Sequence, residues 1–201
     1  MSEPQATSSS DVIAAMRHWV ERAVIGLNLC PFARAVQVKG QVRYVVSEAR
    51  TPDALLADLK TELQFLHNTP AEQTDNTLLI HPYVLAEFTD FKTFLPRADA
   101  VLRRAGLVGE IQIASFHPHY QFAGSEPDDI TNFTNRAPYP TLHLLREASI
   151  ERAVQAFPAA DSIYEQNIAT LKALGHTGWE SLQIKAAAPT AAAERKGPPP
   201  V

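Results

Sequence analysis

The sequence predicts an α/β fold, built as a single domain around a small, mainly parallel sheet with helical crossovers and a helical C-terminal part. Three short segments at 41–48, 77–80 and 110–116 have the apolar, β-branched character of strands, and the stretches between them carry apolar residues at helical spacing. Helical connections between strands favour parallel pairing with right-handed crossovers. With 45% hydrophobic and 20% charged residues in a chain of 201, there is material for one sizeable core and little reason to split in two.

Residues 1–9 are mostly small and polar and read as a disordered lead. Ser10 or Asp11 can cap the first helix, in which Val12, Met16, Trp19, Val20, Ala23 and Leu27 share one face, and Pro31 stops it after about residue 29. The first strand, 41–48, is entered through Gly40. Thr51 followed by Pro52 and Asp53 is a helix start, and Leu55, Leu56, Leu59, Leu63 and Leu66 supply its apolar stripe to about residue 67. A polar turn over 69–76 leads into the second strand, 77–80, which runs into His81 and Pro82. The stretch 88–106 is helical in pattern, with Thr89 or Asp90 as cap, Pro96 as an interruption and Gly106 as the stop. The third strand, 110–116, ends just before His117. Beyond Pro140 the leucine-rich run reads as helix from 141 to about 157, broken by Pro158, and a last helix spans 161–174 with Asp161 as cap and Gly175 as its end. Trp179, Leu182 and Ile184 dock the remainder on the core, so the domain covers 10–184. The tail, 185–201, is dominated by Ala, Pro, Lys and Gly and cannot bury enough to order itself.

In a parallel sheet the carboxyl ends of the strands share one edge, and open α/β sheets bind ligands in the crevice outside it. The first strand delivers Ser47 and Glu48 there, the second His81, and the third His117 and His119. If the chain turns at Pro118, His117 and His119 can hold a divalent transition metal such as Zn or Fe, with His81, His143, Asp128 or Glu48 as third ligand. The same pair can instead act as acid and base, or one ring can cap a strand edge while another packs on Tyr120 or Phe122. Asp128 and Asp129 follow Pro127 in a turn-prone segment, which suits either a metal ligand or general base, or a solvated turn or helix N-cap. Asn132, Asn135 and Arg136 precede the helix expected at Pro140, whose free N–H groups attract anions. Arg136 can therefore clamp a carboxylate or phosphate; alternatively it pairs with the aspartates while the asparagines satisfy loop backbone.

On that expected helix His143 and Glu147 are four residues apart and share a face, so His143 either serves the loop as an acid–base or orienting group or sits at the core's edge. Cys30 ends the first helix, where the dipole disfavours a thiolate, and reads as a structural thiol or a member of the pocket wall rather than a nucleophile.

A formal charge of -4 without a dense Lys/Arg cluster leaves no footprint for a nucleic-acid backbone, and no apolar run approaches a bilayer span. Neither nucleic acid nor a membrane is expected as a partner. The amino terminus lacks a basic n-region and an apolar h-region, and Cys30 is the only cysteine, which together point to the cytoplasm. A dinucleotide-binding glycine loop, a P-loop, a Gly-x-Ser-x-Gly elbow and Cys-x-x-Cys pairs are all missing. Nothing in the sequence speaks to oligomeric state.

The block Leu27-Asn28-Leu29-Cys30-Pro31-Phe32-Ala33, the block Phe116-His117-Pro118-His119-Tyr120, and the run from Asn132 to Arg136 through Pro138-Tyr139-Pro140 to His143-Leu144-Leu145-Arg146-Glu147 resemble the bacterial family catalogued as domain of unknown function 1415. The resemblance covers nearly the whole chain from the first helix to about residue 184. It implies no activity, because the family is named for having none; it does imply that Cys30, His117, His119, Asn135, Arg136 and His143 share a pocket.

The resulting expectation is a small cytoplasmic enzyme with a His-rich site at the carboxyl edge of the sheet. His117, His119, His143 and Asp128 would be catalytic, Asn132, Asn135, Arg136 and Cys30 would hold a small anionic substrate, and His81, His117 and His119 would bind the metal. Two other readings use the same residues: a non-catalytic binder of a small anionic metabolite, and a structural or partner-docking protein.

Overall fold

The computed structural model describes residues 8–156 and 162–187. Its elements are α1 (Ser9–Trp19), continued as a π-helical stretch over Val20–Ile25, then α2 (Ala33–Val38), β1 (Val42–Val46), α3 (Pro52–Asn68) and β2 (Asn76–Ile80). They are followed by α4 (Phe88–Arg104), β3 (Ile111–Phe116), a 3-10 helix (Ile130–Asn135), β4 (Thr141–Arg146), α5 (Glu147–Ala156) and α6 (Ile163–Ser181). Every helix and strand expected before residue 117 is present, and α2 is an addition that the sequence did not signal. Of the expected lead over 1–9, Ser8 and Ser9 are instead the cap and first residue of α1, and of the expected tail over 185–201, Ala187 donates its N–H to the Tyr139 hydroxyl at 2.7 Å; residues 1–7, the break at Pro158, the cap at Asp161 and residues 188–201 lie outside the described residues.

Local chemistry sets the helix starts. Ser8, rather than Ser10 or Asp11, caps α1 by accepting the Asp11 N–H at 3.2 Å. Thr51 caps α3 by accepting the Ala54 N–H at 3.2 Å, with Pro52 at the first helical position. At the start of α4 neither Thr89 nor Asp90 caps; Glu87 occupies that position without a side-chain bond.

The sheet is mixed, not mainly parallel. Its order is β1-β2-β4-β3; β1 and β2 are parallel, and β4 lies antiparallel between β2 and β3. β4 occupies residues expected to open a helix. Leucine is a good helix former, yet Leu142 and Leu144 are fully buried on one face while Thr141 and His143 point to the other, and burial on both faces of a central strand outweighs intrinsic propensity. The helix begins only at Glu147, so His143 and Glu147 do not share a helix face. Since β2 and β3 each oppose β4, the strands β1, β2 and β3 still run in one direction and their carboxyl ends do share an edge.

Helices cover both faces. α3 and α4 pack Leu55, Leu59, Leu63 and Phe91 against Leu79, Ile111, Leu142 and Leu144. On the second face α1 and α6 bring Trp19, Leu171 and Trp179 against Leu78 and Ile80, and Trp19 stands edge-on to Phe116 with ring centroids 4.9 Å apart. The last helix breaks where expected, at Gly175 (φ 64°, ψ 177°), then resumes and carries Trp179 to the core. Arg146, at the end of β4, donates to the carbonyls of Leu66, Thr69 and Thr74 and ties the end of α3 to the sheet.

The strand assignment of β4 separates two adjacent leucines. Leu144→Ala should cost about 3 kcal/mol of unfolding free energy in urea titrations, since it empties a closed core. Leu145→Ala should cost about 1 kcal/mol, since Leu145 is only half-buried on the opposite face. Equal losses would contradict the alternation.

Candidate functional site

At the carboxyl edge the histidines act as fasteners. His81 is fully buried and its Nδ1–H donates to the Val84 carbonyl at 3.0 Å. In His117 the Nδ1 atom accepts the His119 backbone N–H at 3.0 Å, which places the proton on Nε2, and Nε2–H donates to the Leu85 carbonyl at 3.1 Å. Leu85 has φ 60°, a left-handed conformation that a leucine seldom adopts. Two imidazoles thus hold the carbonyls of consecutive residues in a strained turn between β2 and α4. The Phe91 ring lies against both, with centroids 5.5 Å from His81 and 5.2 Å from His117. His119 is exposed, its ring 5.9 Å from that of His117.

This arrangement does not give the expected metal set of His81, His117 and His119. Both ring nitrogens of His117 are engaged, and among the described residues no group of three or more His, Cys, Asp or Glu side chains is placed to hold a metal ion. Burial pushes the His81 pKa down to about 4 and lowers that of His117, so both rings are neutral at pH 7.

The loop after His117 is knitted in the same way. Asn132 is fully buried; its Oδ1 accepts from the Phe122 N–H at 3.0 Å and the Ser125 hydroxyl at 2.7 Å, and its Nδ2 donates to the Glu126 carbonyl at 2.8 Å. Asn135 donates to the Ser115 carbonyl at 3.3 Å. Arg136 lies over the Phe133 ring, 4.3 Å from its centroid, and donates to the carbonyls of Tyr120 and Pro127. Asp129 caps the 3-10 helix through the Thr131 N–H and hydroxyl, bonds that hold its carboxyl below the usual range. Asp128 is exposed. The expected anion clamp also loses its helix N-terminus, because the chain after Pro140 enters a strand. Of the two readings of these residues, loop knitting matches the observed bonds.

A cavity of about 940 Å³ lies elsewhere, over the second face of the sheet toward the amino ends of β1, β2 and β3. It follows from how that face is covered. α1 and α6 pack Trp19, Leu171 and Trp179 onto the carboxyl half, α5 leaves β4 at the other end, and β3 contributes only Ala114 between Gln112 and Phe116. The wall is mostly apolar, with Trp19, Leu78, Ala114 and Phe116 on one side and Ile150 of α5 on another.

His143 stands in the middle of this floor, in register with Leu78 on β2 and Ala114 on β3. Its Nε2 lies 3.1 Å from Asn76 Oδ1, the Asn76 amide nitrogen lies 3.5 Å from Asp75 Oδ2, and Asp75 Oδ1 accepts the Ser149 hydroxyl at 2.6 Å. Enclosure by protein pushes the His143 pKa down to about 4. Cys30 lines the same cavity, and burial pushes its thiol pKa up.

The expected site residues therefore divide. Cys30 and His143 share the cavity, whereas His81, His117, His119, Asp128, Asn132, Asn135 and Arg136 do not line it. Asp75 and Asn76 were not singled out by sequence and Trp19 only as a core residue; the available signal was Asn76, an amide that opens a buried strand.

The buried neutral histidine of the edge makes a pH prediction. Its pKa is lower in the folded chain than in the unfolded one, so its contribution is complete above about pH 6.5 and is lost as pH falls toward 4. Urea unfolding should lose about 3 kcal/mol across that window through His81 alone. His81→Asn keeps an N–H for Val84 but cannot titrate, and should remove that share of the dependence while the share of His143, also held near 4, persists; an unchanged slope would contradict the assignment.

No helix among the described residues is long and apolar enough to cross a membrane. No curated protein and no solved structure matches the chain. A family model described as a protein of unknown function, DUF1415, matches residues 11–181. That span runs from α1 to the end of α6 and includes both the fastened edge and the cavity, so the chain belongs to the DUF1415 family.

Proposed function

We propose that the chain binds a small, uncharged and largely apolar molecule in the cavity beside His143. The observation that carries this reading is the cavity itself: about 940 Å³, apolar in most of its wall, with one hydrogen-bonded imidazole at its floor. Binding sites for small molecules combine those features, falling at roughly 300 to 1,000 Å³ with few polar groups. Three of the charged groups at its margin are already engaged, and Lys39 and Glu72 line it as well. Arg146 is spent on three carbonyls, Arg152 donates to Ser149, and Asp75 accepts from Ser149. An anionic ligand held by Arg136 has less support, because that guanidinium bonds two carbonyls away from the cavity.

Binding is favoured over chemistry by the state of the two reactive side chains. A general base works best with a pKa near the operating pH, whereas His143 is held near 4. The Cys30 thiol is held in its protonated form by burial, which makes it a poor nucleophile. An enzyme acting at the carboxyl edge would first have to break the bonds of His117 to Leu85 and His119.

The neutral fluorescent probe N-phenyl-1-naphthylamine should bind with enhanced emission and saturate at one equivalent. Ala114→Trp fills the cavity floor and should weaken that binding by about tenfold or more while the far-ultraviolet circular dichroism stays unchanged. Ala123→Trp, on the exposed loop, is the control for an added indole. No saturable binding to the native chain, or equal affinity in the Ala114 variant, would remove this reading.

A further inference from the structure

We infer that the cavity selects molecules carrying an O–H or N–H donor, because a chain of hydrogen bonds from Ser149 through Asp75 and Asn76 leaves His143 Nδ1 as a bare acceptor facing the bound molecule. The inference rests on the cavity being the binding site and adds the chemical class of its ligand.

Asp75 is an acceptor at both oxygens: Oδ1 takes the Ser149 hydroxyl at 2.6 Å and Oδ2 faces the Asn76 side chain at 3.5 Å. That second contact is long, but its sign is decisive, since an amide oxygen turned toward a carboxylate would be repelled. The Asn76 NH2 therefore faces Asp75, and its Oδ1 faces His143. An amide oxygen only accepts, so the proton shared at 3.1 Å belongs to His143 Nε2. A neutral imidazole carries one proton, which leaves Nδ1 with a lone pair.

That lone pair is open. Among the described residues the buried side-chain nitrogens and oxygens without a partner are Thr77 Oγ1 and His81 Nε2, and no described residue bonds His143 Nδ1. The ring keeps a degree of exposure and lines the cavity. Its low basicity keeps the second proton off at pH 7, so the acceptor persists under ordinary conditions. Around it the wall offers aromatic and aliphatic surface from Trp19, Phe116 and Leu78. A flat, uncharged body with a single hydroxyl or ring N–H satisfies both parts of the site. An analogue with only an acceptor in that place sets two lone pairs against each other and leaves Nδ1 desolvated without a partner.

The test pairs 2-naphthol with 2-methoxynaphthalene, which share the ring system and differ in the donor. In displacement of N-phenyl-1-naphthylamine, 2-naphthol should bind about tenfold or more tightly than the ether, the discrimination expected when one buried hydrogen bond is lost. Long-range proton–nitrogen spectra of the free protein should show His143 as the Nε2–H tautomer, and only 2-naphthol should shift its Nδ1 resonance upfield, as accepting a proton requires. Asp75→Asn releases the Asn76 amide to turn and should shrink the preference, whereas Ser149→Ala, which leaves the amide facing a carboxylate, should retain it. If Asp75→Asn does not fold, Asn76→Leu replaces it, with the same expected loss of preference. Equal affinities for the two naphthalenes with the fluorescent probe still bound, or an Nδ1–H tautomer, would overturn the inference and leave the cavity reading standing. Failure of all three molecules to bind would overturn both.

Discussion

Insertion of β4 between β2 and β3 sends Leu142 and Leu144 into the core beneath α3 and α4, and turns Thr141, His143 and Leu145 toward the second face. The alternation is a property of the strand: one residue of slippage would exchange a leucine for an imidazole in a closed core. Two consequences follow from this one constraint. The other three strands remain co-directional, so β1, β2 and β3 end on a shared edge. The only polar ring on the strand is delivered to the middle of the less completely covered face.

The carboxyl edge and the sheet-face cavity then differ in what their histidine nitrogens do. At the edge, His81 and His117 spend N–H donors on the carbonyls of Val84 and Leu85 and hold a leucine at φ 60°, a conformation that persists only where the surroundings over-determine it. Asn132 and Arg136 do the same for the loop beyond, each bonding its backbone groups. Over the sheet face, His143 has one nitrogen fixed and one open, surrounded by apolar wall. Unfilled apolar surface of this size forgoes the dispersion contacts that a packed interior gains, and an occupant restores them.

Much of the fold was legible in the sequence. Thr51 and Pro52 announced α3, the leucine stripe fixed its buried face, and the β-branched and apolar runs ending at residues 46, 80 and 116 marked three strands whose shared direction and edge were anticipated. β4 was not legible, because Leu142-His143-Leu144-Leu145 satisfies a helical as well as an alternating pattern, and the sheet that decides between them is assembled from partners 25 to 69 positions away. The histidines of the edge were located correctly but their partners are backbone carbonyls, which no side-chain pattern discloses. His143 and Cys30 were chosen and do share a cavity, although His143 reaches it from a strand and not from a helix. The cavity depends on where α1, α5 and α6 stop, and it is a gap in coverage that no single residue encodes.

The proposed recognition lies over the sheet face and not at the histidine-rich edge. Chemical-shift mapping with indole, following backbone amides, methyl groups and histidine rings together, locates the occupied region directly. Dose-dependent shifts should concentrate on Trp19, Leu78, Ala114 and His143, with the edge undisturbed. Shifts centred on His117, His119, Tyr120 and Arg136 would contradict it.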